Sequence, residues 1–578
     1  MKLRCHFLVL GCIAIFAPAA LCGDMVTPSH GTKGMVVTVR PEASQVGVAI
    51  LQQGGNAVDA AVAVGFALSV VYPQAGNIGG GGFLLFRRPA GEVHFLDFRE
   101  KAPAKATATM YLDRNGNVVP DLSTIGYKSV GVPGSVAGLV YAEQHWGKLS
   151  LKQVMEPAIR LARDGFVLTY DQAQAMQDSD LARFPESHRI FQRDGNYYRP
   201  GEVFKQPELA RTLQRIADNP DDFYHGSIAR QLAAAMQEGG GLITAEDLAQ
   251  YKVVERQPIR GTYRGYEIIS APPPSSGGVA LVEILNILAG YDLAKEGDHS
   301  AESIHLIAEA FQRAFFDRAE FMGDPDFSKI PVAQLIDKRY GDAWRETIPL
   351  RTATPSASIR RPSVFSELDS YARAHPQANF LAEPMHTTHF SVVDSEGNAV
   401  AVTTTLNDSF GSRVTAEGLG FLLNDEMDDF SSKPGVPNMY GLIQGPANAI
   451  GPGKRPLSAM TPTMVLKNGK LFLVLGSPGG PTIITTIANI LLGVIDYHLN
   501  IEQAVNAPRF HDQWMPDQID LEPTGISPDT IGILEHMGHK LDVKGQYWGD
   551  AECIAIDDQT GERLGASDGR SDGKAVGY

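Results

Sequence analysis

The sequence predicts an α+β fold, with helices gathered mostly before position 350 and strands after position 387. Three observations carry that expectation. Several long segments in the first part space their apolar residues at helical intervals. The part after 387 alternates apolar and polar residues in short runs bounded by turn residues. The chain has 578 residues, 43% of them hydrophobic and 20% charged, a globular balance with enough length for two domains or one large layered domain.

The first 23 residues stand apart. "MKLRCHFLVLGCIAIFAPAALCGD" has a basic start, an apolar run and then small residues, the pattern of a secretory signal, with cleavage expected near Ala20 to Gly23. Leu21 is a poor neighbour for a lipid-anchored Cys22, so a removed leader is expected, and export to the periplasm or outside the cell. Cys5, Cys12 and Cys22 sit in or at the edge of that leader, leaving Cys553 in the mature chain. That excludes a disulfide framework and a cysteine-rich metal site. A formal net charge of −16 argues against a nucleic-acid partner.

Past the leader, "SQVGVAILQQGGNAVDAAVAVGFALSVVYPQ" (44–74) reads as two helices broken at Gly54-Gly55. "NIGGGGFLLFRRPAGEVHFLDFRE" (77–100) is a glycine loop leading into a hairpin. "APPPSSGGVALVEILNILAG" (271–290) is a proline-glycine loop feeding a helix, and 302–321 has helical apolar spacing. Residues 350–386 are polar, proline-bearing and weakly periodic, and read as an exposed linker. Beyond them, "THFSVV", "NAVAVTTTL", "PTMVLKNGKLFLVLGS" and "AECIAIDDQTGERLGAS" read as strands with tight turns. The apolar runs 57–72 and 482–499 carry Asp59 and Asp496 and are read as buried helices, not membrane spans.

A linker that ends at His386 and a strand that begins at Thr387 raise a chemical question. A threonine becomes a competent nucleophile if it becomes a chain terminus, because its freed α-amine can act as general base. An α-amine titrates near pH 8, where it can take and return a proton at neutral pH. By itself, "TTH" after a loop is an ordinary strand.

The flanking blocks change that reading. "TTHFSVVDSEGNAVAVTTTLNDSFGS" resembles the start of the small subunit of the γ-glutamyltranspeptidases. "GFLLNDEMDDFSSKPGVPNMYGL", "GPGKRPLSAMTPTMV", "GSPGGPTIITT" and "NAPRFHDQW" resemble the blocks that follow, and "NIGGGGFLLF", "LDFREKAPAKAT", "GVPGSVAGL" and "PPPSSGGV" resemble the large subunit, all in the family's order. The resemblance implies a four-layer αββα fold of the N-terminal-nucleophile hydrolases. It implies cleavage between His386 and Thr387, giving a large subunit (24–386) and a small one (387–578) that stay in one globule. The implied reaction moves the γ-glutamyl group of glutathione or a similar donor to water, an amino acid or a peptide.

Each site residue implied by the resemblance has a chemical reason. Thr387 would carry the γ-glutamyl group as an ester, with Thr405 hydrogen-bonded to it. The donor's head is a zwitterion, so Arg99 would grip its α-carboxylate through a planar fork and Asp429 its α-ammonium, with Asn407 and Glu426 in support. The Ser458 hydroxyl would help hold the carboxylate. Ala459 is a departure, since the family most often has a second serine there; one hydrogen bond to a charged group is worth roughly 1.5–3 kcal/mol. Gly479 and Gly480 would offer backbone N–H groups to the oxyanion just before a helix. Tyr440 would tip a lid loop.

No cofactor and no catalytic metal are implied: "GPGKRP" lacks the Ser/Thr of a P-loop and no spaced Cys/His set appears. Two alternatives remain at this level. A glutaryl-type (cephalosporin) acylase of the same fold would have no use for Asp429 and Glu426. An exported protein that binds γ-glutamyl compounds without processing would keep the fold and lack turnover.

Overall fold

The computed structural model describes residues 26–370 and 387–578. The leader, His386 and the later part of the linker lie outside the described residues. Two seven-stranded sheets dominate. Their strands, in chain order, are β1 (Ser29–Gly31), β2 (Met35–Thr38), β3 (Gly81–Arg87), β4 (Val93–Asp97), β5 (Val254–Arg256), β6 (Ile259–Tyr263) and β7 (Tyr266–Ser270). After the linker come β8 (Thr387–Val393), β9 (Ala399–Thr405), β10 (Thr463–Lys467), β11 (Lys470–Leu475), β12 (Glu552–Ile556), β13 (Arg563–Ser567) and β14 (Lys574–Gly577). The first sheet runs β14-β2-β8-β9-β3-β4-β5 and the second β1-β13-β12-β11-β10-β7-β6. Neighbours within each are antiparallel. Each sheet interleaves strands from both sides of position 387.

Period-two alternation explains the layers. In the first sheet Val36, Leu84, Phe86, Val400 and Val402 point to one apolar core, while Val37, Phe83, Leu85, Ala399 and Ala401 point to another. In the second sheet Ile269, Met464, Val474 and Ile554 share that same middle core, and Ile268, Val465, Leu473 and Leu475 face a third. Helices α1 (Pro41–Gln52) and α2 (Ala57–Val71) close the first outer face. Helices α3 (Gly277–Leu288), α4 (Ala301–Phe321) and α5 (Thr482–Ile495) close the second. The result is helix, sheet, sheet, helix, as the resemblance implied.

The break between α1 and α2 falls at Gly54-Gly55, and α2 starts with a capping box in which Asn56 and Asp59 satisfy each other's amides. Asp59 also accepts the Lys148 and Leu149 amides, which is why a carboxylate sits in a fully buried helix whose one other polar side chain is Ser69. Among the described residues, no helix is long and apolar enough to cross a membrane.

One expectation needs correction. The stretch from 351 to 368 is exposed over most of its side chains, as a linker is, but it is anchored at single residues. Ile359 and Leu368 are buried, and Ser356 donates to Trp514 O and to Asp517 Oδ1. The Arg361 guanidinium bonds Asp317 at 2.6 Å and also Glu320, and lies over the Phe321 ring, all on α4. The segment lacks periodicity because single side chains fasten it to separate elements, with no apolar face of its own.

Candidate active site

Antiparallel register gathers the site at one end of the first sheet. Thr387 opens β8, pairs with Thr405 at the end of β9, and Thr405 pairs with Gly81 at the start of β3. Asp97 ends β4 at the same end, so Arg99 follows two residues later. The second sheet contributes the turn after β11, holding Gly479 and Gly480, and the segment before β10, holding Ser458. Strand alternation also separates the two neighbouring threonines. Thr388 shares the helix-side face of Phe390 and Val392. Thr387 shares the inner face of His389 and Ser391, and the Ser391 hydroxyl donates to Glu552 O on the facing sheet.

A cleft of about 320 Å³ is lined by Thr387, Thr405, Arg99, Asn407, Glu426, Asp429, Tyr440, Ser458 and Gly480, together with Arg318, Leu442, Ala459, Met460, Pro481 and Ile483. Of the sequence-predicted residues, Gly479 adjoins this lining and His386 lies outside the described residues. The Thr387 and Thr405 hydroxyls are 3.1 Å apart, and Thr405 Oγ1 accepts the Asn407 amide at 2.8 Å. Both threonines are buried.

Arg99 is fully buried and holds two carboxylates, Glu426 through Nη1 and Asp429 through Nη2. The local backbone explains the pairing. Glu426–Asp429 form a 3₁₀ turn, in which residues three apart face the same way, so both carboxylates reach one guanidinium. The other acids of "NDEMDDF" turn elsewhere: Asp428 accepts from Ser123 Oγ at 2.7 Å, and Asp425 accepts the Asp408 amide at 3.0 Å. Glu100 lies 3.8 Å from Arg99, so three carboxylates crowd one cation. Burial, opposed by Arg99, pushes Glu100 up to about 7 and holds Glu426 well above the usual carboxylate range. Burial alone would depress Arg99, but Glu426 and Asp429 keep it above its ordinary value.

Asn407 takes a left-handed backbone, φ 84°, a conformation asparagine adopts more readily than most side chains. Its side chain donates to Asp425 Oδ2 at 3.2 Å and accepts from the Tyr440 hydroxyl at 2.8 Å. Tyr440 also donates to Asn407 O at 2.9 Å, so the loop bearing it is fastened over the cleft. Gly479 and Gly480 have φ of 131° and 53°, and a Cβ at Gly479 would stand 2.4 Å from Thr482 Oγ1. Among the described residues, neither glycine amide donates a hydrogen bond, while their carbonyls accept the first amides of the α5 turn. Ser458 Oγ accepts the Met460 amide at 3.0 Å.

Sequence reasoning missed Arg318, Glu100 and the apolar wall of Leu442, Met460 and Ile483. A signal for Arg318 exists: "FFDRAE" places charges directly after an aromatic pair, within a helix already carrying Glu309 and Arg313 among its apolar residues. His305, Glu309 and His539 also bring three ligand-type atoms within 4.8 Å, away from the cleft lining. Those atoms are already engaged: His305 with His539 and Pro349 O, and Glu309 with Arg313 and the Thr354 amide.

A family model described as Gamma-glutamyltranspeptidase matches residues 43–578. The chain belongs to the γ-glutamyltranspeptidase family. It is 49% identical over 560 residues to a glutathione hydrolase proenzyme of Escherichia coli (strain K12), covering 96% of this chain and 93% of that one. It is 52% identical over 519 residues to a glutathione hydrolase proenzyme of Pseudomonas sp. (strain A14), covering 89% and 87%. Among solved structures, the cephalosporin acylase of Bacillus halodurans superposes with a TM-score of 0.81 at 27% identity, covering 98% of this chain and 99% of that one. The γ-glutamyltranspeptidase family and that acylase therefore share the four-layer fold.

Proposed function

We propose that this chain is a proenzyme that cuts itself before Thr387 and then acts as a glutathione hydrolase and γ-glutamyltransferase. The observation that carries the reading is one cleft in which a strand-opening threonine, hydrogen-bonded to a second threonine, lies with an arginine and two carboxylates. In the first step Thr387 Oγ1 attacks the carbonyl carbon of His386, the peptide bond becomes an ester, and water cleaves it. The products are a large chain ending at His386 and a small chain (387–578). The leader (1–23) is removed on export to the periplasm.

The freed Thr387 amine then takes the hydroxyl proton as Oγ1 attacks the γ-carbonyl of the donor, and passes it to the leaving amine. Thr405 orients the nucleophile. The amides of Gly479 and Gly480 receive the oxyanion, and their lack of other acceptors supports that role. Arg99 and Ser458 bind the donor's α-carboxylate, and Asp429, with Asn407 and Glu426, binds its α-ammonium. Tyr440 gates the cleft. Water, an amino acid or a peptide then takes the acyl group from Thr387.

The shared fold of the cephalosporin acylase, together with Ala459, favours a glutaryl side chain as the competing substrate. A glutaryl group has no ammonium, however, and would leave Asp429 without a use. The first test is the intact mass of the purified protein after several hours at neutral pH. Two chains are expected, the smaller beginning Thr-Thr-His-Phe. A single persistent chain overturns the reading in favour of a binding protein, and faster turnover of a glutaryl than of a γ-glutamyl anilide overturns the substrate assignment.

A further inference from the structure

Two residues after Thr387, strand β8 places His389 on the same inner face, fully buried and directly opposite Thr403 of β9. The Ser391 hydroxyl donates its one proton to Glu552 O at 2.7 Å, so His389 Nε2 is the donor to Ser391 Oγ at 3.1 Å. Burial keeps the ring neutral, and its Nδ1 accepts from Thr403 Oγ1 at 2.8 Å. Both ring nitrogens are therefore satisfied and the tautomer is fixed.

The ring meets the other sheet at Gly476, the residue that follows β11 and precedes the turn bearing Gly479 and Gly480. A Cβ at Gly476 would overlap Cε1, Nδ1 and Nε2 of His389. The Gly476 backbone lies outside the left-handed region, so the imidazole, and not the chain's conformation, is what excludes a side chain there. Gly476 O in turn accepts the Glu552 amide at 3.1 Å. His389, Ser391, Glu552 and Gly476 thus close a loop of contacts between the strand that opens with Thr387 and the segment that leads to the glycine turn.

We propose that His389 is a positioning residue for acyl transfer: packed on Gly476, its ring sets the distance between Thr387 Oγ1 and the oxyanion-binding amides of Gly479 and Gly480. The proposal rests on the γ-glutamyl reading above and adds to it a residue that touches no substrate, since His389 is not part of the cleft lining. Protein interiors are close-packed, so a ring wedged between two sheets transmits a shift of either one to the other. A misplacement of reacting groups by about 1 Å costs about 100-fold in rate. The donor's head group, held by Arg99, Asp429 and Ser458, does not depend on that spacing.

The test uses the matured enzyme, its cut checked by intact mass, with γ-glutamyl-p-nitroanilide as donor and two inhibitors. L-Glutamate reads head-group binding alone. The γ-boronic acid analogue of glutamate bonds through boron to Thr387 Oγ1, whose proton passes to the Thr387 amine, and so puts an oxygen where the oxyanion forms. For Gly476→Ala, kcat/KM is expected to fall at least ~10-fold and the boronate inhibition constant to rise at least ~10-fold, while the L-glutamate constant changes by less than ~3-fold. Removing the ring as well, in the double variant Gly476→Ala with His389→Ala, should raise kcat/KM at least ~3-fold above Gly476→Ala alone, because the methyl group enters the space the ring has left. A smaller loss in Gly476→Ala, a double variant that recovers less, or an L-glutamate constant that rises in step with the boronate constant overturns the proposal. If Gly476→Ala does not fold or is not cut, His389→Gln and His389→Ala decide. Glutamine reaches the Nε2 position and should keep at least ~3-fold more kcat/KM than alanine; equal values overturn the proposal. A wild-type chain that is not cut before Thr387, or is cut and inert toward the donor, overturns the γ-glutamyl reading instead.

Discussion

Thr387 and Thr388 carry the same side chain one position apart, yet only Thr387 stands on the inner face within reach of Thr405. The expected result for Thr387→Ala is therefore one uncut chain without turnover, while Thr388→Ala is cut and active; denaturing gels and release of p-nitroaniline read both. For Asp429→Ala, cutting should be normal and KM for a γ-glutamyl donor should rise at least ~10-fold, as expected when a substrate ammonium loses its charged partner. That Thr387, Thr405 and Asp429 would meet in one cleft was legible in the sequence, because their blocks resemble a family in which each position already has a reason. Arg318 was not, because in a helix read for apolar spacing a single charge passes for a solvent-facing position. Only the fold reveals that α4 is buried nearly all round and that this arginine opens into the cleft.

Helices and strands with their own periodicity were also legible. The Gly54-Gly55 break, the hairpin after the glycine loop and the β8–β9 pair all fall where turn residues and alternation place them. The stretch from 351 to 368 was not, because its order comes from partners far away in sequence. Arg361 is its main anchor, and Asp317 and Glu320 beneath it are buried. Arg361→Ala should lower stability by about 3 kcal/mol, the low end for breaking a buried pair, because Tyr340 and Trp344 still donate to Asp317. Thermal unfolding measures the loss, and earlier proteolytic cutting after position 350 would show that this segment has come away.

At the scale of the whole molecule, stability follows pH through buried groups such as His389, whose ring is held between Thr403 and Ser391 and whose pKa burial lowers to about 3. The folded state keeps this ring neutral, whereas an unfolded histidine takes a proton below about pH 6.5. Its contribution is therefore constant above that point and is lost as pH falls toward 3, by up to about 1.4 kcal/mol per pH unit. The urea midpoint of His389→Asn should accordingly vary less steeply between about pH 6 and pH 4 than that of the wild type. The interleaved sheets have a separate consequence. Before cutting, β8 and β9 find β2 and β3 within a single polymer. With the proposed cut before Thr387, the same strands belong to different molecules, and reassembly becomes a second-order encounter. Refolding of the uncut Thr387→Ala chain from urea should give a yield independent of dilution. The matured pair should recover less as it is diluted, so that in dilute surroundings each copy folds once, as a precursor, and is lost when it unfolds.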